Sequence, residues 1–192
     1  MDDDATEIAF QVISVLESLK IRYVVGGSLA SSVHGVARTT IDVDLIAELT
    51  IEQVKSFVSM LEKDFYVDES AVREAINSRS SFNLIHFDSS FKVDIFIPKR
   101  RAFDELQLKN GVPSLLDPQR NRLVYLLSPE DTVLAKLDWY KMGNKLSDRQ
   151  WQDILGVMCI NRGKLDLDYM AKCAKALNVV DLLEKALDES KD

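Results

Sequence analysis

Apolar residues recur at helical spacing near the start of the chain, where Ile8, Val12, Val15, Leu16 and Leu19 share one face of the segment 5–20. That pattern predicts a first helix. Ile21 to Val25 follows as a short β-rich run closed by Gly26-Gly27-Ser28, and Leu29 to Val36 resumes as a short helix closed by Gly35. The period then changes. From Ile41 to Ala47 the chain alternates strictly, with Ile41, Val43 and Leu45 on one face and Asp42, Asp44 and Ile46 on the other, the mark of a half-buried strand. Thr50 to Lys63 returns to helical spacing through Val54, Phe57, Val58 and Leu61, whereas 64–80 gives no clear period. Phe82–Phe87 and Phe91–Ile97 read as two strands joined at Asp88-Ser89-Ser90, a hairpin signal.

Past Pro98 a polar stretch leads to Arg122–Leu127, the expected last strand, and Ser128-Pro129-Glu130-Asp131 has the form of a helix start with proline in the first turn. Helices are predicted near 130–142, 148–161, 167–177 and 179–189, broken by Gly143-Asn144, Asn161-Arg162-Gly163 and Asn178. The pattern as a whole predicts an α/β fold: a core with a small mixed sheet in residues 1–128 and a helical carboxy-terminal subdomain in 129–192.

Composition narrows the function classes. The 192 residues, 46% hydrophobic and 29% charged, suffice for one good core. No apolar run approaches the roughly 18 residues of a membrane helix. The start Met1-Asp2-Asp3-Asp4 has neither a basic nor an apolar leader region, so a cytoplasmic protein is expected. Cys159 and Cys173, each set among apolar residues of a helical pattern, suit small reduced core residues better than a disulfide. A net charge of -7 argues against extended DNA binding or an anionic membrane surface. Residues 92–149, however, hold eleven Lys and Arg against eight Asp and Glu, which leaves room for a local anion site.

The candidate chemistry lies in the carboxylates. Asp42 and Asp44, two apart on a strand, project from the same face, and their repulsion calls for a cation between them; oxygen ligands with positions left for phosphate and water suit Mg²⁺ or Mn²⁺. The plainer reading is the polar outer face of an edge strand. Two features weigh against it. Gly26-Gly27-Ser28 precedes the pair and opens a helix, where free N–H groups can cradle a phosphate. In addition, Asp94 sits in the middle of the apolar strand Lys92-Val93-Asp94-Ile95-Phe96-Ile97, where an unpaired charge is costly. Three acids around two metal ions point to phosphoryl or nucleotidyl transfer, with Asp94 placed as the base nearest the nucleophile.

The run Val25-Gly26-Gly27-Ser28, thirteen residues, then Asp42-Val43-Asp44-Leu45, and Asp94 on a later strand, resembles the signature of the DNA polymerase β-like nucleotidyltransferase superfamily over residues 22–97. Arg38-Thr39-Thr40-Ile41-Asp42 resembles the lead-in of small bacterial members, among them the abortive-infection type nucleotidyltransferase toxins. The resemblance implies an enzyme that moves a nucleoside monophosphate from an NTP to a hydroxyl or phosphate of an acceptor: a small molecule, a protein side chain or an RNA end. It assigns Gly27 and Ser28, with Gly26 beside them, to the triphosphate, and Asp42, Asp44 and Asp94 to two Mg²⁺ or Mn²⁺ ions. A toxin-like role would add a partner antitoxin, and a homo-oligomer is the other partner considered. Lys136 and Asp153 match a Lys and an Asp on successive helices of those toxins; Lys136 meets a nucleotide phosphate on that reading, or forms a plain interhelical salt bridge with Asp153. The rival function is a non-catalytic nucleotide-binding or regulatory partner of the same fold.

Several residues remain open. Arg38 is a candidate to hold a triphosphate oxygen, or else neutralises Asp42 or Asp44. His34 and His86 lack metal-ligand spacing and read as structural. Lys99-Arg100-Arg101 could receive an anionic acceptor or be a solvated turn. Trp139, Tyr140 and Trp151 read as packing residues, and base stacking would require one of them to face a cleft.

Overall fold

A computed structural model of the chain describes residues 3–36, 42–116, 121–144 and 146–191. Helix α1 (Asp3–Ser18) buries Ile8, Val12, Val15 and Leu16, as its spacing requires. Strand β1 (Tyr23–Val25), helix α2 (Gly27–His34) and strand β2 (Asp42–Ala47) follow, and β2 alternates between half-buried and buried residues along its whole length. A 3-10 turn at Ile51–Gln53 leads into α3 (Val54–Leu61).

The unassigned stretch 64–80 holds a two-residue strand β3 (Phe65–Tyr66) and helix α4 (Glu69–Ser78). Asp68 caps α4 by accepting the Ser70 amide at 2.8 Å, and Val72, Ala75 and Ile76 form its buried stripe. Strands β4 (Ser81–His86) and β5 (Lys92–Phe96) pair antiparallel as the hairpin pattern predicts.

Two elements occupy the stretch after Pro98. Helix α5 (Ala102–Lys109) begins where the Asp104 carboxylate accepts the Arg101 amide at 3.0 Å, and its apolar stripe is short. Strand β6 (Val112–Leu115) contains Pro113, which argues against a central strand; β6 lies at the sheet edge, where that loss is tolerated. Strand β7 (Leu123–Leu126) is the last in the chain. Helices α6 (Pro129–Met142), α7 (Asp148–Ile160), α8 (Leu167–Leu177) and α9 (Val180–Glu189) match the predicted ones to within a residue or two.

The sheet runs β3-β4-β5-β2-β1-β7-β6. It is mixed: β2 pairs β5 and β1 pairs β7 in parallel, the other pairs antiparallel. Val43 and Leu45 of β2, Val93 and Ile95 of β5, and Phe82 and Leu84 of β4 point into one core with α1, α3 and α4. The opposite face is left for the cleft. Helices α6–α9 enclose a second apolar cluster that also takes in Phe103 of α5. A small patch of Val24, Ala30 and Leu127, with Ile46 and Ala135 against it, joins the sheet to α2 and α6.

Cys159 corrects an expectation. Cys173 is buried, but Cys159 is exposed on α7, its position in the repeat falling on the solvent side. Both thiols are free. Among the described residues no helix is long and apolar enough to cross a membrane.

Leu45 is fully buried, one residue from Asp44 and on the opposite face of β2. Leu45→Ala should therefore lower folding stability by about 2–5 kcal/mol, measured by urea denaturation.

Candidate active site

The parallel pairing of β2 with β5 sets Asp42 opposite Lys92, Asp44 opposite Asp94, and Ile46 opposite Phe96. Because side chains alternate, all six lie on the face turned away from the α1/α3/α4 core. The three carboxylates singled out in the sequence are thus brought together by one register. Asp44 feels the crowding: its pKa is pushed up to about 6, chiefly by burial and then by the negative charges of Asp42 and Asp94. Two groups work the other way, the Lys136 charge and the backbone N–H of Ser28, which the Asp44 carboxylate accepts.

Gly26 ends β1, its amide bonded to the Asp44 carbonyl at 2.9 Å, and Gly27 opens α2 with φ +55°. A Cβ on Gly27 would collide with the Asp44 carboxylate. The glycine is therefore required by the carboxylate as well as by the left-handed backbone, a reason the sequence alone did not supply. Gly26, Gly27, Ser28, Asp42, Asp44 and Lys136 all line one cleft of about 760 Å³ between the sheet and helices α6 and α7.

Cations sit on the acids. Lys92 Nζ is 2.8 Å from Asp94 Oδ2, the ion pair that a purely structural Asp94 would form. Lys136 Nζ is 2.9 Å from Asp153 Oδ2, with only about a tenth of either side chain exposed. The predicted interhelical salt bridge is present, and it stands in the cleft wall within electrostatic reach of Asp44. Arg38 lies outside the described residues.

The histidines are structural. His34 Nε2 donates to the Leu127 carbonyl at 2.7 Å, and burial lowers its pKa, keeping the ring neutral. His86 meets the Ser89 hydroxyl and packs edge-on to Phe65. Tyr140 and Trp151 are buried against each other at 5.2 Å within the helical cluster. Trp139 is different: it lines the cleft, 47% exposed, at 5.3 Å and 71° to Phe96.

Sequence reasoning took Arg101, with Lys99 and Arg100, for an anionic-acceptor site or a solvated turn and missed its partners. Its guanidinium binds Asp104 of α5 at 2.8 Å and Asp138 of α6 at 2.7 Å, forming a strut across one end of the cleft. The Arg101/Asp104 spacing of three was the only local signal, and Asp138 is too distant in sequence to announce itself. Lys99 and, from the α4–β4 turn, Arg79 line the same cleft, and Lys99 makes no salt bridge among the described residues.

The donor set suits a hard divalent cation, being all carboxylate oxygen. Among the described residues no group of three or more acid, His or Cys side chains is arranged to hold a metal.

No family model matches the chain, and no curated protein matches it in sequence. Solved structures match it in fold. An antigenic nucleotidyltransferase-like protein from Paracoccidioides brasiliensis is 16% identical with a TM-score of 0.54, over 92% of this chain and 94% of that one. The antibiotic-resistance factor ANT(2'')-Ia in solution is 10% identical with a TM-score of 0.55, over 98% and 97%. A crystal structure of ANT(2'')-Ia in complex with adenylyl-2''-tobramycin is 11% identical with a TM-score of 0.55, over 90% and 95%. At these identities the likeness is one of architecture. This chain has the nucleotidyltransferase fold, as the resemblance over residues 22–97 implied.

Two outcomes follow for the protein without added metal. The folded state holds the Asp44 proton more tightly than the unfolded chain, so ionised Asp44 destabilises the fold progressively as pH rises from 3.8 to about 6. Asp44→Asn should match wild type near pH 4 and exceed it above pH 6, by at most about 3 kcal/mol, in paired urea titrations across pH. Asp131, raised to about 6 by burial, titrates in the same window in both proteins and cancels in the difference. Separately, Gly27→Ala should destabilise by about 1–3 kcal/mol, and adding Asp44→Ala should recover part of that loss. Independent, additive effects in the double-mutant cycle would contradict the contact.

Proposed function

We propose that this chain is a divalent-metal-dependent nucleotidyltransferase that moves a nucleoside monophosphate from an NTP to a hydroxyl or phosphate of an acceptor. The observation that carries this reading is the β2/β5 register, which sets Asp44 beside Asp94 with Asp42 two residues away, Asp42 and Asp44 themselves lining the cleft. A fold has no structural need to gather three like charges there, at the cost of a carboxylate that ionises only near pH 6.

On this reading Asp42, Asp44 and Asp94 hold the metal, which supplies Lewis acidity at the phosphate and lowers the pKa of the attacking oxygen. Gly26, Gly27 and Ser28 let backbone approach the triphosphate at the amino end of α2. The Ser28 amide, engaged by Asp44, would be free to donate to phosphate if that carboxylate held a cation instead. Asp94 must part from Lys92 before it can act as a base, and the released ammonium is then a counter-charge near the reacting groups. Lys136, ion-paired in the wall, offers a second positive charge to the phosphates.

One observation favours the rival reading of a binding-only protein: the pairing of Lys92 with Asp94 is a permanent neutralisation if nothing displaces it. A single variant separates the two. Asp94→Asn should keep NTP affinity within about tenfold while transfer falls by roughly 10² or more. The measurements are calorimetric NTP binding with Mg²⁺ and pyrophosphate release on incubation with labelled NTP and a cell lysate. Wild-type protein that binds NTP yet labels nothing and releases no pyrophosphate would establish the binding-only function.

A further inference from the structure

The cleft is larger than the carboxylates and the glycine turn require, and its extra length has a chemical character of its own. Two residues along the strands from Asp44 and Asp94, about 7 Å, the register pair is Ile46 and Phe96. Both line the cleft. Trp139 stands over this apolar step from α6, edge-to-face with Phe96. Its helix neighbours Leu137 and Tyr140 are buried, whereas Trp139 keeps 47% of its surface. An exposed tryptophan in a concave site, unlike one on an outer face, offers a ring to whatever enters.

In-line transfer fixes what enters there. Departing pyrophosphate, phosphorus and attacking oxygen must lie near one axis. Gly27 and Ser28 lie on the β1 side of β2, and Asp94 on the β5 side, so that axis crosses the strands. The nucleoside has to leave that axis, and two of the directions open to it run along the strands. One direction leads to Asp42 and Lys92, a pair of charged side chains. The other leads to Ile46, Phe96 and Trp139.

We propose that Trp139, backed by Phe96, is the platform on which the base of the nucleoside triphosphate stacks, and is a nucleotide-binding residue of this site. The proposal rests on the nucleotidyltransferase reading above. Base-on-aromatic stacking tolerates any of the four bases, so discrimination among them falls to the polar groups at its margin.

The test compares two ligands, an NTP and inorganic tripolyphosphate, each titrated calorimetrically with Mg²⁺ into wild type, Trp139→Ala and Trp139→Phe. Expected is a loss of NTP affinity of about 5- to 150-fold in Trp139→Ala, unchanged tripolyphosphate affinity, and recovery of most NTP affinity in Trp139→Phe. Trp139→Leu, which keeps bulk against Phe96 but no ring, replaces the alanine variant if that does not fold. Unchanged NTP affinity without the ring overturns the proposal and gives the aromatic wall to the acceptor. Equal losses for NTP and tripolyphosphate also overturn it, since the tryptophan would then only hold the cleft in shape. Wild-type protein that binds neither ligand overturns the nucleotidyltransferase reading, and this proposal with it.

Discussion

Charge repulsion on a hydrogen-bonded frame is the constraint around which this molecule is arranged. The ladder between β2 and β5 cannot change register without turning Val43, Leu45, Val93 and Ile95 out of the core, so the backbone holds Asp44 against Asp94 whatever the side chains prefer. Everything adjacent answers that repulsion. The Ser28 amide and the Lys136 charge stabilise the ionised Asp44, and Lys92 holds Asp94. Burial of the opposite face supplies the stability from which the acids subtract.

The helical part serves the same site from the other side. Serine caps at Ser128 and Ser147 start α6 and α7 at defined points, and the α6/α7 pair then carries Lys136 and Asp153 as a matched couple into the cleft wall. Arg101 joins α5 to α6 through two carboxylates, and α2 is tied to α7 where Asn161 Nδ2 meets the His34 carbonyl at 2.7 Å. These ties fix the opening between sheet and helices, and thereby the space beside Phe96 and Trp139.

Strict alternation made β2 and β5 legible in the sequence, and with them the shared face of the acids. Helices α6–α9 were legible because Ser128-Pro129 marked the start of α6 and the helical segments broke at Gly143, Asn161 and Asn178. Helix α5 was hidden by its short stripe, and β6 by Pro113, which reads as a breaker unless the strand is known to lie at an edge. At the site, spacing along one strand was visible, but pairing between strands was not. The Arg101 strut, the position of Lys92 on Asp94 and the cleft-facing Trp139 all depend on residues far apart in sequence or on helix rotation within the assembled cleft. Cys159 failed for the second of these reasons, since a helix with apolar neighbours on several sides leaves the solvent direction to packing.

The contact between Gly27 and Asp44 imposes an order on how this site could decay. A methyl group at residue 27 collides with the acid as long as the acid is present, whereas shortening the acid leaves the glycine unharmed. Under selection for folding alone the carboxylate would therefore be lost more readily than the glycine, which the left-handed backbone still favours. In an inactive descendant, a residual glycine would outlive the acid it once accommodated, a fossil of chemistry no longer performed.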